Sequence, residues 1–159
     1  IIYQLFDKVN DMLIEYEERK RKEAIEALVH PGKITVLQGM AFRYSKPAIV
    51  GVRVLGGVIK PGYPLIREDG REVGNILQIQ KEGKNVGEAK IGDEVAISID
   101  KAVYGRSIKD GTILYVNIPE NDARMINRKF LNYLSKDSQE VFEEFLKIKR
   151  KIHGFTWGM

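Results

Sequence analysis

The sequence predicts a mainly β protein with added α-helices: a long N-terminal helix, a small closed antiparallel barrel and two C-terminal helices. Three observations predict this architecture. An amphipathic run opens the chain, short valine- and isoleucine-rich runs separated by turn residues fill its middle, and apolar residues at helical spacing return after Pro119. Regularly spaced strands without intervening helices are typical of a small barrel.

Residues 1–30 are predicted to form one long amphipathic helix that connects this chain to another part of a larger protein. The sequence EERKRKEA in its second half is strongly helix-forming and polar on all sides, which is typical of a helix that crosses solvent between domains. No methionine precedes Ile1, and this too favours a piece of a longer protein. The apolar positions are Ile2, Leu5, Phe6, Val9, Met12, Leu13 and Tyr16 before the polar segment, and Ala24, Ile25, Leu28 and Val29 after it.

Residues 31–117 are predicted to form the barrel. The candidate strands are 34–37, 49–55, 75–80, 94–99 and 112–116. Turn chemistry separates them: Asp69-Gly70 suits a type I′ hairpin turn, Pro61-Gly62 suits a type II turn, and Gly56-Gly57 is expected to make a tight reversal.

Residues 118–159 are predicted to form two helices packed on the barrel. Pro119 suits a first helical position, and a second helix is expected to start near Asp137, whose spacing to Glu140 matches a capping box. The apolar positions are Ala123, Ile126, Phe130, Leu131 and Leu134 in the first helix, and Val141, Phe142, Phe145, Leu146 and Ile148 in the second.

Composition excludes several classes of function. The chain has no cysteine, which excludes disulfides, thiolate metal sites and cysteine nucleophiles. It has only two histidines and no G-x-S-x-G sequence, so neither a metal site nor a catalytic site is expected. The net charge of +4 indicates a mild preference for anionic partners. No apolar run approaches the length of a membrane span, so no membrane partner is expected.

The glycine-rich stretch GVRVLGGVIKPGYPL, residues 51–65, could either cradle a phosphate or form turns of a barrel. A nucleotide-binding P-loop needs G-x-x-x-x-G-K-[ST] before a helix. Gly57 is followed five residues later by Gly62, but Tyr63 and Pro64 come next, so the lysine and the hydroxyl are missing. The stretch is therefore interpreted as part of a barrel, and this chain by itself is not expected to be an enzyme.

Three longer motifs carry a family resemblance. GVIKPGYPLI at 57–66 and EGKNVGEAKIGDEVAISID at 82–100 resemble the barrel that recurs in translation GTPases. With ALVHPGKITVLQGMAFRYSKPAIVGV at 27–52 and the helical tail, the chain resembles the C-terminal part of the archaeal and eukaryotic translation initiation factor 5B family, relatives of bacterial initiation factor 2. The resemblance extends over nearly all 159 residues.

The resemblance implies a domain that binds the acceptor end of initiator methionyl-tRNA on the ribosome and promotes subunit joining. It also implies a cytoplasmic monomer whose GTP and Mg²⁺ are bound by an upstream GTPase domain, with no cofactor in this chain. The implied tRNA-binding residues are Gly51, Val52, Arg53, Gln80, Lys81, Lys84 and Phe42, with Lys81 and Lys84 on phosphates and Tyr44 as a second aromatic. Val52 and Lys81 differ from the cysteine and arginine of the bacterial pattern, and a lysine holds phosphate without bidentate geometry.

A second interpretation makes the chain a protein-docking module in which the barrel is only a scaffold. The resemblance to the eukaryotic members implies that the C-terminal helices bind initiation factor 1A. The residues expected to form that groove are Phe130, Leu134, Phe142, Phe145 and Trp157. Because two amphipathic helices must bury their apolar faces, packing of most of these residues against the barrel is the alternative.

Overall fold

The computed structural model describes the backbone of residues 2–106 and 108–159, and the side chains of residues 8–24, 26–106 and 108–159. Helix α1 (Ile2–Ala27) leads into the strands β1 (Gly32–Arg43), β2 (Ala48–Ile59), β3 (Pro64–Arg67), β4 (Glu72–Lys81), β5 (Lys84–Val86), β6 (Ala89–Lys90), β7 (Glu94–Ile99) and β8 (Ile113–Val116). Helix α2 (Glu120–Met125), a π-helical turn (Ile126–Phe130), a 3-10 turn (Leu131–Tyr133) and helix α3 (Lys136–His153) follow.

Six antiparallel strands close into a barrel in the order β1-β8-β3-β4-β7-β2, and the pairing of β2 with β1 completes the circle. Strand β5 extends β4 as a hairpin, and β6 pairs with the end of β2. Side chains alternate between the two faces of a strand, so every second residue enters the barrel. Val50, Val52 and Val54 of β2 are accordingly at most 1% exposed. The predicted mainly β fold with a closed antiparallel barrel is confirmed.

The glycine pair of β2 does not make the predicted reversal. Gly56 and Gly57 lie inside the strand, opposite Lys33 and Gly32 of β1. A Cβ at Gly56 would lie 2.6 Å from Val141 of α3, and one at Gly57 would lie 2.1 Å from the Pro31 carbonyl oxygen. The two glycines therefore let helix α3 and the loop before β1 approach the barrel closely. Their role is a contact with other parts of the chain rather than a turn.

Two of the three turn predictions need a different description. Pro61-Gly62 forms the expected turn, in which Tyr63 donates to the Lys60 carbonyl at 3.2 Å and Gly62 has φ +91°. At 67–71, Gly70 has positive φ and donates to the Arg67 carbonyl, whereas Asp69 has no positive φ, so this is not a type I′ turn. A turn with two successive positive φ angles lies instead at Glu82-Gly83, between β4 and β5.

The C-terminal helices differ from the prediction in three details. Pro119 is the N-cap of α2 rather than its first residue. The α-helix ends at Met125 and is followed by the π-helical and 3-10 turns, and the backbone of Leu134 is extended. Helix α3 begins at Lys136 after Ser135, so no capping box involves Asp137. The Asp137 carboxylate instead accepts a hydrogen bond of 2.8 Å from the Gly57 N–H of the barrel.

Helix α3 is fixed to the barrel by an apolar face and by polar contacts at its edge. Phe142 and Phe145 are at most 1% exposed and belong to the same core as the barrel interior. At the edge, the Glu144 carboxylate accepts hydrogen bonds of 3.0 Å from both Lys33 and the Tyr115 hydroxyl. Burial, together with the hydrogen bond to Glu144, raises the pKa of Tyr115 well above its ordinary value.

Helix α1 is largely exposed. Val9, Met12, Leu13 and Tyr16 of its apolar stripe are each at least 50% exposed, whereas Leu28 and Val29 after its end pack against the core. The predicted stripe positions Ile2, Leu5 and Phe6, and the predicted Ile25, lie outside the described side chains. The helix ends at Ala27 rather than at residue 30. Across the described residues, every helix is too short or too polar to span a bilayer.

Replacement of Asp137 by alanine should lower the free energy of unfolding by about 1–3 kcal/mol, because the Gly57 N–H loses a charged acceptor. Burial disfavours the Asp137 carboxylate, but hydrogen bonds from Gly57, Ser135 and nearby amides outweigh this and lower its pKa. Because the pKa of Asp137 is lower in the folded state, its carboxylate stabilises the fold at pH values above the unfolded-state pKa of about 3.9. This stabilisation is lost as the pH falls through the folded-state pKa. Urea unfolding should therefore show that Asp137→Ala loses less stability in acid than at neutral pH.

The matched control is Asp137→Asn, which keeps an oxygen acceptor and loses the charge. At neutral pH this variant should also be less stable than the wild-type chain, but by less than the alanine variant. A loss for Asp137→Ala that is the same at every pH would contradict a charged acceptor at this position.

Candidate nucleic-acid interface

A groove of about 530 Å³ runs along the outer face of the barrel, across β1, β2, β7 and the β4–β5 hairpin. Most of its lining is apolar, and three polar side chains lie along one side. The apolar and glycine positions are Leu37, Met40, Phe42, Ile49, Gly51, Gly83, Val95 and Ala96, and the polar ones are Gln80, Glu82 and Glu94.

Strand register explains why the groove lies here. Gln80 of β4 is opposite Ala96 of β7, and Ala96 is opposite Gly51 of β2, so the three residues form one row across the outer face. Two of its three members, Ala96 and Gly51, are small, and they lie between the larger side chains of Gln80 and of Met40 on β1. A row with small residues in the middle produces a depression in a sheet surface that is otherwise covered by side chains.

Strand β1 forms the second wall of the groove. Its pairing with β2 shifts register between Val36 and Ala41, and Gly39 in this irregular segment has φ +71°. Met40 is thereby placed on Gly51, where a Cβ would lie only 2.7 Å from the Met40 Cβ. The close approach that the absence of a side chain at Gly51 permits is thus made by Met40 of the same chain. Phe42, two residues further along β1, is 62% exposed at the groove.

Residues 80–85, which carry the predicted phosphate-binding lysines, form a tight hairpin. Lys81 and Lys84 are paired directly on either side of the Glu82-Gly83 turn. Because side chains alternate along β4, Lys81 points to the opposite face from Gln80 and so away from the groove. Its ammonium lies 3.2 Å from the Asp93 carboxylate. For Lys84, the described residues offer no carboxylate within 4.0 Å.

Asp93 organises the loop beside the hairpin. One carboxylate oxygen accepts the Lys90 N–H at 3.0 Å and the other accepts from Lys81. The hydrogen bond from the Lys90 amide, followed by that from the Lys81 ammonium, holds the pKa of Asp93 below its ordinary value. The Lys81 charge is exposed and shared with Asp93, so an incoming phosphate would compete for it.

A third cation lies at one end of the groove. Arg53 is directly opposite Glu94 on β7, and the closest approach of their charged groups is 4.0 Å. Both side chains are more than half exposed, so this ion pair is weak and leaves the guanidinium accessible to another anion.

The structure therefore brings together only some of the predicted tRNA-binding residues. Phe42, Gly51 and Gln80 line the groove, and Arg53 lies at its end. The Val52 side chain is fully buried in the barrel and cannot contact a ligand in the groove. Tyr44, the second predicted aromatic, stacks on Tyr104 with ring centroids 5.1 Å apart.

Sequence reasoning missed most of the groove's lining, including Met40, Glu82, Glu94 and Ala96. The available signal was weak. The small residues Gly51 and Ala96 are distant in sequence, and only the pairing of β2 with β7 places them side by side. Glu82 follows Lys81 directly, and its position in a turn facing the groove depends on a positive φ of 53°.

The residues predicted for partner docking are mostly covered by the chain itself. Phe130, Phe142 and Phe145 are at most 7% exposed, and Phe142 and Phe145 belong to the core beneath the helices. Trp157 packs edge-on against Phe145 with ring centroids 5.5 Å apart, and Leu134 is partly buried against the same core. These side chains do not form an exposed groove.

Comparison with known proteins gives one consistent result. Residues 30–115 match the family described as elongation factor Tu domain 4. The chain is 49% identical over 152 residues to a probable translation initiation factor IF-2 of Ignicoccus hospitalis, and 53% identical over 142 residues to that of Methanopyrus kandleri. A solved structure of GDP-bound aIF5B from Aeropyrum pernix superimposes with a TM-score of 0.84 at 40% identity.

These alignments cover almost all of this chain and a small part of each relative. They span 95% and 89% of the chain for the two factors, but only 25% and 24% of the factors' own length. The solved structure is matched over 99% of this chain and 27% of that one. The resemblance inferred from the sequence motifs is confirmed, and the chain spans about a quarter of the length of the relatives it matches.

Replacement of Gly51 by alanine should lower the free energy of unfolding by about 1–3 kcal/mol, because the new Cβ would overlap Met40. Chemical denaturation measures this loss. Gly87→Ala is the matched control: a Cβ there would meet nothing within 4 Å, so a change within about 0.5 kcal/mol is expected. Equal losses in the two variants would contradict the packing assigned to Gly51.

Proposed function

The chain belongs to the family of elongation factor Tu domain 4 and of the IF-2-type translation initiation factors, and from this premise we propose that it binds the acceptor end of initiator methionyl-tRNA. In this proposal the aminoacylated terminal nucleotide enters the groove, and the hairpin lysines hold the neighbouring phosphates. By holding the initiator tRNA in this way, the chain promotes the joining of the ribosomal subunits.

The observation that carries the proposal is an open apolar groove placed beside exposed cations. An acceptor end is single-stranded, so its bases are free to stack on an aromatic side chain and its phosphates attract cations. Phe42 is the exposed aromatic in the groove, while Arg53 and Lys84 lie at its end and beyond its hairpin wall. The volume of about 530 Å³ fits a group of the size of an aminoacyl nucleoside.

The charges divide the binding surface into two parts. Lys81 and Lys84 lie on the face of the hairpin opposite Gln80, so phosphates bound there would be kept out of the groove itself. Lysines hold phosphate as point charges, which suits a backbone of variable geometry better than a bidentate contact would. The groove would then be left to the uncharged parts of the terminal nucleotide and to its aminoacyl group.

The longer protein from which this chain comes is proposed to be a cytoplasmic, monomeric GTPase. The solved relative has GDP bound, and the chain matches only 27% of it. This chain carries no P-loop sequence, so GTP and Mg²⁺ are assigned to a part of the protein outside it. In such a factor, this chain would bind tRNA and the part outside it would hydrolyse GTP.

Spontaneous loss of methionine from initiator methionyl-tRNA should slow when the chain is present, because a group held in the groove is shielded from water. Reversal of both hairpin charges, Lys81→Glu with Lys84→Glu, should abolish this protection at moderate salt through repulsion of the phosphates. The measurement is the rate of deacylation against protein concentration at two salt concentrations.

Lys129→Glu with Lys136→Glu is the matched control, since it makes the same charge change at exposed positions of the helical tail. This variant should keep the protection. Protection that survives the hairpin reversal would contradict the assignment of the phosphates to Lys81 and Lys84.

A second candidate function is docking of initiation factor 1A on the helical tail. The observation in its favour is exposed apolar surface at the end of α3, where Ile152 is 49% and Phe155 is 77% exposed. These two residues, rather than the buried phenylalanines of α3, are the proposed contact. A protein partner would bury such side chains, which water otherwise surrounds.

Phe155→Ser should weaken binding of initiation factor 1A about tenfold or more if this surface is a docking site, because an exposed aromatic is the usual anchor of such a contact. Titration calorimetry measures the affinity. Phe42→Ser is the reciprocal control: it should weaken tRNA protection and leave factor binding unchanged. Unchanged factor binding in Phe155→Ser would exclude this residue from the interface.

A further inference from the structure

We propose that the groove selects an aminoacyl end with a free, positively charged α-amino group over one whose amine is blocked, and that Glu82 is the residue that makes the selection. This inference rests on the proposed function, since it concerns the same groove and the same acceptor end. It adds a chemical specificity that neither the fold nor the binding of phosphates requires.

The charge of the groove is the first step. Its polar lining consists of one amide, Gln80, and two carboxylates, Glu82 and Glu94, whereas none of its lining residues is a lysine or an arginine. A groove with only negative charges is a poor place for a phosphate and a favourable place for a cation. In the proposed function, the phosphates of the same ligand bind Lys81 and Lys84, which are paired on the hairpin.

The two carboxylates are not equivalent. Glu94 faces Arg53 across the strands at 4.0 Å, so part of its charge is already balanced. For Glu82, the described residues place no lysine or arginine within ion-pair distance, and its side chain is exposed. Glu82 is therefore the carboxylate with the larger unbalanced charge at the groove.

The turn holds Glu82 in place. Its backbone has φ +53° and that of Gly83 has φ +78°, and the flanking Lys81 and Lys84 are paired across the hairpin. A two-residue turn of this kind has little freedom, so the Cα–Cβ direction of Glu82 is fixed relative to the groove. Glutamate is an uncommon choice at a positive φ, where asparagine and glycine are favoured, so local turn geometry does not account for it.

The chemistry of the ligand supplies the last step. An aminoacylated acceptor end carries negative phosphates, neutral bases and one cationic group, the α-ammonium of the amino acid. An α-amino group has an ordinary pKa of about 7.7–8.0 and is therefore mainly charged near pH 6.5, where glutamate is ionised. Acylation of this nitrogen removes both its charge and two of its three donated protons, so the blocked end loses the attraction to Glu82.

The test compares three forms of initiator tRNA that differ only at the 3′ end: bare, joined to methionine by a hydrolysis-resistant amide linkage, and the same methionyl form after N-acetylation. Affinities are measured near pH 6.5 with the 159-residue chain, by fluorescence anisotropy of labelled tRNA. The free-amine form should bind about threefold to tenfold more tightly than the N-acetyl form, as expected for one partly exposed ion pair.

Glu82→Gln should remove most of that preference, chiefly by weakening the free-amine form, and Glu94→Gln should reduce it less. Glu82→Asn provides a second neutral variant that suits a positive φ, so the turn is preserved while the charge is lost. Glu88→Gln is the matched control: Glu88 is exposed, pairs with Lys90 and lies outside the groove, so the preference should be unchanged.

Three results would overturn the inference, and they are distinguishable. Equal affinity of the wild-type chain for the free and N-acetyl forms, both above bare tRNA, would refute the selection and leave the proposed function standing. Equal affinity for all three forms would show that the groove does not hold the aminoacyl group at all. A preference that persists in both Glu82 variants would assign the selection to another residue.

Discussion

The twelve-residue strand β2 is the element on which the rest of the structure depends. Its inner face supplies valines to the barrel core, and its pairing with both β1 and β7 closes the barrel. Its outer face contributes Gly51 to the groove, and its end carries Gly56 and Gly57, on which α3 and the preceding loop pack. Because one rigid strand carries the groove at one end and the helical tail at the other, the two surfaces keep a fixed relation.

Electrostatics then decides what each surface can bind. The excess of positive charge over the chain is small, so overall attraction to RNA is weak and the local arrangement of charges matters more. The hairpin places Lys81 and Lys84 on one face and Gln80 on the other, with Glu82 at the turn between them. The cations lie outside the groove and the carboxylates lie at its rim, so the phosphates and the terminal aminoacyl group of a ligand would bind at different places. Both proposals about the barrel depend on this separation.

The sequence predicts the barrel well, because alternation of valines and isoleucines and the Pro61-Gly62 turn are local signals. It predicts contacts between distant segments poorly. Gly56 and Gly57 have the composition of a turn, but α3 requires them to be small, and the Asp137 carboxylate serves the barrel rather than its own helix. The row of Gly51 and Ala96 depends on strand register, which no local pattern specifies. Phe142 and Phe155 are both apolar aromatics, and only the packing shows which of them remains exposed.

The most direct test of the central claim is to locate the ligand on the protein. An isotope-labelled chain is titrated with a short RNA ending in CCA that carries methionine through a stable amide linkage, and the backbone amide signals are followed by nuclear magnetic resonance. We expect the signals of Gly51, Ala96 and residues 80–83 to shift together, with one dissociation constant. Shifts confined to α3 and residues 154–159 would contradict an acceptor-end site in the groove and would place the binding surface on the helical tail.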